Sequence, residues 1–126
     1  MANLNPVEIK AFVPAKDHAR SLRFYQDVGF EVASNEQGVA FLRHGGVSFL
    51  LQDFYVKEQA ENFMMHLLVE DVDAWWQKVR DAGIADRYGV EVTPVETRPW
   101  GMRDFVLTDP SGVLWRIAQN LPGPHG

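Results

Sequence analysis

Apolar and polar residues follow two rhythms along this chain, and the rhythms recur in the same order in both halves. Val72, Trp75, Trp76 and Val79 fall at the i, i+3, i+4, i+7 spacing of one buried helix face. Upstream, Leu22, Tyr25 and Val28, with Phe24 beside them, repeat that spacing more loosely. Each stretch opens on Asp and closes on Gly: Asp17 to Gly29 and Asp71 to Gly83, intervals of 12 residues that start 54 positions apart. An Asp carboxylate accepts orphan N–H groups of a first helical turn, and Gly reaches the left-handed conformation that ends a helix. The spacing predicts two helices.

Short strand-like runs surround each helix. IKAFV (9–13) precedes the first and FMMHLLV (63–69) the second. After the first come FEVA (30–33), VAFLR (39–43) and VSFLLQ (47–52); after the second come VEVTPV (90–95), RDFVLT (103–108) and VLWRIAQ (113–119). Pro94 removes a ladder donor, which assigns its run to an edge or bulge. GVSFLL at 46–51 matches GVLWRI at 112–117 at an offset of 66, larger than 54 because the second half carries a longer loop around Glu96 to Gly101. The pattern predicts an α+β fold of two tandem βαβββ modules in a single domain spanning 1–126. Module one covers about 7–52, a polar linker 53–62, module two about 63–120, and a frayed tail 121–126.

Composition narrows the chemistry. Hydrophobic residues make up 46% and charged ones 23%, enough for a core and an ordinary surface. Twelve Lys+Arg against 17 Asp+Glu leave a formal charge of −5 with no basic run, which argues against phosphate-neutralising nucleic-acid binding. With no cysteine, disulfides, thiol nucleophiles and thiolate metal sites are excluded. Apolar runs are too short to span a bilayer, and MANLNPVEIK lacks a signal pattern, so a cytoplasmic, membrane-free protein is expected. No Gly-rich phosphate loop or nucleophile elbow is present, and Glu8, Asp53 and Asp104 read as isolated carboxylates. Asp109, in the DPSG turn, reads as structural, and His18, His44 and His125 read as surface residues.

Three segments, DHARSLRFYQDVGFEV, VEDVDAWWQKVRDAGI and WGMRDFVLTDPSGVLWRIAQN, come in an order and spacing that resembles the vicinal oxygen chelate superfamily. That superfamily includes glyoxalase I, extradiol dioxygenases, fosfomycin-modifying enzymes and bleomycin-resistance proteins, and the resemblance runs from about Val7 to Asn120. It implies curled sheets around a cleft, usually in a homodimer. In metal-dependent relatives four strand positions hold a divalent ion, and the resemblance places them at Lys10, Leu50, Met64 and Arg116. Neither Leu50 nor the cationic Lys10 and Arg116 can donate to a metal, and one Met thioether is too soft for an oxygen-rich site. No metal, cofactor or catalytic residue is therefore expected. His66, two places past Met64 on the same strand face, could fill a ligand slot only by a register slip, with no partners.

Strand alternation places Ile9, Ala11 and Val13 inward, with Met65, Leu67, Val69, Trp115 and Ile117. Lys10, Phe12, Ser48, Leu50, Gln52, Met64, His66, Leu68, Leu114, Arg116 and Ala118 then face the cleft. Phe54 and Tyr55, with Trp100 and Arg103, are expected at its mouth. The expected ligand contacts are Lys10, Phe12, Leu50, Gln52, Phe54, Met64, His66, Trp100, Arg103 and Arg116. Lys10 and Arg116 together favour a ligand carrying an anionic or carbonyl group. The expected function is non-catalytic binding and sequestration of a partly aromatic or apolar small molecule, in the manner of the bleomycin-resistance branch. The alternative is a glyoxalase-like or dioxygenase-like enzyme, or an isomerase with Lys10 or His66 as base.

Overall fold

The computed structural model describes residues 2–122, so His125 lies outside the described residues. Module one runs β1 (Phe12–Pro14), α1 (His18–Val28), β2 (Glu31–Glu36), β3 (Val39–His44) and β4 (Val47–Gln52). A short α2 (Lys57–Glu61) leads into β5 (Met64–Leu68), α3 (Val72–Asp81), α4 (Ile84–Tyr88), β6 (Glu96–Arg98), β7 (Met102–Thr108) and β8 (Leu114–Asn120). The strands form two four-stranded sheets, ordered β1-β4-β3-β2 and β5-β8-β7-β6. In each, the first strand pairs parallel to the last and the other pairs are antiparallel. The fold is the βαβββ unit made twice.

Both helix starts follow from their caps. The Asp17 side chain accepts from Arg20 N–H and that of Asp71 from Ala74 N–H, each at 3.1 Å, a contact worth about 1 kcal/mol. The strand register repeats the sequence offsets. Phe12 stands opposite Leu50 and His66 opposite Arg116, so equivalent positions lie 54 apart on the first strands and 66 apart on the last.

One face of each sheet turns inward and the two inner faces share a core. Phe49 and Trp115, equivalent residues of the two modules, meet there with ring centroids 5.1 Å apart. Tyr25 and Phe30 pack edge-on against Phe49 and tilted against Trp115. Trp115 Nε1 donates to Tyr25 Oη, which in turn donates to Asp109. Asp109 Oδ1 accepts from the N–H groups of Ser111 and Val113, so the DPSG turn is built around a buried carboxylate. Burial raises the pKa of Asp109, and burial next to that carboxylate pushes Tyr25 well above its ordinary range.

Several expectations need correcting. The first strand does not begin at Ile9: the last ladder-type bond is Leu50 N–H to Ala11 O, and Ile9 is 96% exposed instead of inward. Upstream the chain leaves the sheet edge, and Glu8 accepts from both Ser48 Oγ and Lys10 Nζ there. VEVTPV is not a full strand. Pro94 interrupts it, leaving a single bridge, Val92 to Leu107, and the edge strand forms at Glu96–Arg98, where a loop was expected. The linker holds a helical turn over 57–61, and a further one spans 84–88, after Gly83 in the left-handed conformation. His18 is half-buried, with Nε2 3.3 Å from Leu51 O. His44 is exposed as expected, and its ring lies 4.9 Å from that of Trp75.

Candidate functional site

The outward faces of the two sheets carry the residues singled out from the sequence. On the first sheet, ladder register sets Phe12, Leu50 and Phe41 side by side across β1, β4 and β3. Phe12 is half exposed, and Leu50 lies partly buried between the two rings' strands. Gln52 ends the same face opposite Pro14 and Val39.

On the second sheet the equivalent row is His66, Arg116 and Val106, across β5, β8 and β7. Met64, 60% exposed, and Leu68 flank His66 on the edge strand. Asp104, two places before Val106 on β7, sits under this face with its side chain only 1% exposed. Arg116 Nη1 donates to Asp104 Oδ2 at 3.0 Å and Arg98 Nε donates to Oδ1 at 2.9 Å. A buried carboxylate is stable in this position because two guanidinium groups satisfy both oxygens. Trp100, at the tip of the β6–β7 hairpin, lies with its ring centre 5.9 Å from the Arg98 guanidinium.

Two expected placements change. Arg103 faces the helix side with Phe105, not the outward face: it forks onto Asp73 of α3 at 2.9 and 3.1 Å and reaches Thr97. The guanidinium holds the Asp73 carboxyl below its usual range. Lys10 is outside the strand, paired with Glu8 at 2.7 Å and 4.9 Å from the Phe41 ring centre. Its hydrogen bond, with that of Ser48, holds the Glu8 carboxyl below the usual range. Lys10, beside the first sheet, and Arg116, on the second, each already meet a carboxylate, so the two do not jointly demand an anion. Phe54 is half exposed just past β4, and its carbonyl accepts from Ala15 N–H.

Phe41, Arg98 and Asp104 were not among the expected contacts. Extending the alternation from Arg116 across to β7 would have put Asp104 on its face. A groove of about 300 Å³ runs between the modules beside β5, walled by Phe30, Val47, Phe49, His66, Leu68 and Trp115. The donor chemistry does not fit a divalent ion at Lys10, Leu50, Met64 and Arg116, and no group of three His, Cys, Asp or Glu side chains converges among the described residues.

The model of the glyoxalase/bleomycin resistance protein/dioxygenase superfamily matches residues 4–117, and the chain belongs to that family. A bleomycin resistance protein from Klebsiella pneumoniae is 25% identical over 114 residues, covering 86% of this chain and 88% of the relative. A bleomycin-binding protein solved in complex with bleomycin superposes with a TM-score of 0.79 at 23% identity, over 91% of this chain and 99% of the other. The bleomycin-binding protein of Streptomyces verticillus, complexed with copper(II)-bleomycin, gives 0.76 at 23% identity, over 96% and 100%. A lactoylglutathione lyase from Agrobacterium tumefaciens shares the fold at 0.65 and 18% identity, over 91% and 95%.

Proposed function

We propose that this protein binds a small molecule stoichiometrically, with bleomycin-type antibiotics as the first ligands to test, and works by sequestration without chemical turnover. The observation that carries this reading is the outward face of the second sheet. Half-exposed apolar side chains (Met64, Leu68, Trp100) surround polar groups there, at positions whose chemistry suits contact and not metal coordination. The names of the relatives supply the ligand class, and the formal charge of −5 adds a weak long-range attraction for a cationic drug.

A second copy of the chain completes the cleft in this reading. Leu4, Val7 and Ile9 are each 90% exposed or more on the segment that leaves the first sheet, and Phe12, Val47 and Leu68 add apolar surface. Residues so exposed are the kind a homodimer covers. Titration with metal-free bleomycin, followed by calorimetry and tryptophan fluorescence, should saturate with a Kd of about 1 μM or below. The drug should be recovered unchanged in mass. Absence of binding at about 100 μM, or steady conversion of the drug, would overturn the proposal. Sedimentation should show a dimer; a monomer at high concentration would remove the shared cleft.

A further inference from the structure

The cluster at Asp104 has an open side. Asp104 accepts from Arg98 Nε and from Arg116 Nη1, and Arg98 Nη1 also meets Glu96 at 3.0 Å. Arg116 spends a single N–H on this contact. Among the described residues its Nε and Nη2 have no partner, and these two atoms form one complete edge of the guanidinium fork. Two guanidinium groups meet two carboxylates, buried Asp104 and the more exposed Glu96 at the rim, so what the cluster leaves open is the unpaired edge of Arg116. Arg98, held by the same carboxylate, lies against the ring of Trp100.

We propose that this face takes a planar aromatic acid, with its ring on Trp100 and its carboxylate on the free fork of Arg116, and that Asp104 is the positioning residue that holds both in place. This rests on the reading that the face binds a small molecule. The physical case is preorganisation. A carboxylate matches the guanidinium fork with two parallel N–H···O bonds, and fixing the plane of the fork beforehand lowers the entropy lost on binding. Asp104 fixes it from below, and through Arg98 limits the freedom of the exposed Trp100 ring. Module one has Val39 and Leu50 at the equivalent positions, so each chain carries one such site.

The test uses 2-naphthoate and its uncharged, same-shaped amide, 2-naphthamide, titrated into the full chain. Wild type should bind the naphthoate about tenfold more tightly than the amide, the scale of one charge-assisted contact. Arg116→Gln should abolish that preference. Asp104→Asn gives the sharper result. It removes a negative charge beside the ligand, so electrostatics alone would tighten naphthoate binding. Positioning by Asp104 requires the opposite, a loss of about tenfold, together with loss of the Trp100 band in near-ultraviolet circular dichroism, assigned against Trp100→Phe.

Should Asp104→Asn fail to fold, Arg98→Leu keeps the Asp104–Arg116 pair and should weaken naphthoate and amide alike by freeing Trp100. Tighter naphthoate binding to Asp104→Asn, equal affinity of wild type for the two probes, or unchanged binding in Arg98→Leu would each overturn the proposal. Bleomycin binding with no naphthoate binding would overturn it too, while leaving the sequestration reading intact.

Discussion

The two modules share a frame and differ in what they place on it. Phe49 and Trp115 occupy the same position on the inward faces, and both are large, apolar and buried against each other. On the outward faces the equivalent pairs are Phe12 and His66, Leu50 and Arg116, Phe41 and Val106, and Val39 and Asp104. The hairpins differ as well: module one ends on exposed His44, module two on buried Asp109. The inward face is constrained because removing apolar area from water is what holds the sheets together. The outward face contributes little to that and is free to acquire chemistry. Divergence on one face of a conserved ladder is therefore where a binding function is expected.

The comparison breaks most severely if the shared core side is cut. Trp115→Ala removes a ring that packs on Tyr25, Phe30 and Phe49, and leaves the Tyr25 hydroxyl without its indole donor. The expected loss is about 3–5 kcal/mol in urea unfolding. Phe49→Ala, at the equivalent place, should fall in the same range. A loss below about 1 kcal/mol for either would show that the modules do not share one core.

How much of this could be read in the sequence depends on whether the cause was local. The Asp17 and Asp71 caps act within three residues, so both helices were visible. The ladders were visible because the two offsets record a repeat. Lys10 and Ile9 were misplaced because pairing of the first strand stops at Ala11, and the tie of Glu8 to Ser48 spans 40 residues. Asp104 looked isolated because its partners, 6 and 12 residues away, reach it only across the β6–β7–β8 ladder. The five-residue helices at 57–61 and 84–88 lack side-chain caps and gave no signal.

Exchanging outward-face residues between modules sharpens the contrast. Arg116→Leu makes module two resemble module one but leaves the buried Asp104 short of a donor, which should cost about 1–3 kcal/mol. Adding Asp104→Val should restore most of that loss, since replacing a buried pair with apolar groups is often neutral. In the other direction, Leu50→Arg should destabilise module one, and Val39→Asp should partly rescue it. Melting curves of the four variants test this. Rescue absent in both directions would mean that the two faces are not equivalent sites.

The buried carboxylate at the end of module two's hairpin makes stability depend on pH. Burial holds the folded Asp109 carboxyl above the unfolded value of 3.8, so folding takes up a proton between the two. Its contribution is full below that unfolded value and is lost as pH rises through the folded one. Glu8 and Asp73 are shifted the opposite way by Lys10 and Arg103, so the whole-protein curve mixes signs. Comparison with Asp109→Asn isolates the effect. As pH rises above about 4, wild type should lose stability relative to the variant. A difference that is flat or grows with pH would show that hydrogen bonds from Tyr25, Val113 and Ser111 outweigh burial.

The smallest effect expected is at Arg103, and it separates the two faces of one strand. Arg103 neighbours Asp104 in sequence yet points to the opposite side of β7, where it pairs with Asp73 near the surface. Exposed pairs of this kind contribute little, because water screens the charges and ordering the side chains costs entropy. Arg103→Ala should therefore leave the melting temperature nearly unchanged. It should also leave bleomycin and naphthoate binding at wild-type strength, whereas Asp104→Asn, one residue on, weakens the latter. Equal loss of binding in the two variants would place Arg103 back at the mouth of the cleft. It would then be the alternation along β7, and not the sequence-based expectation, that failed to predict function.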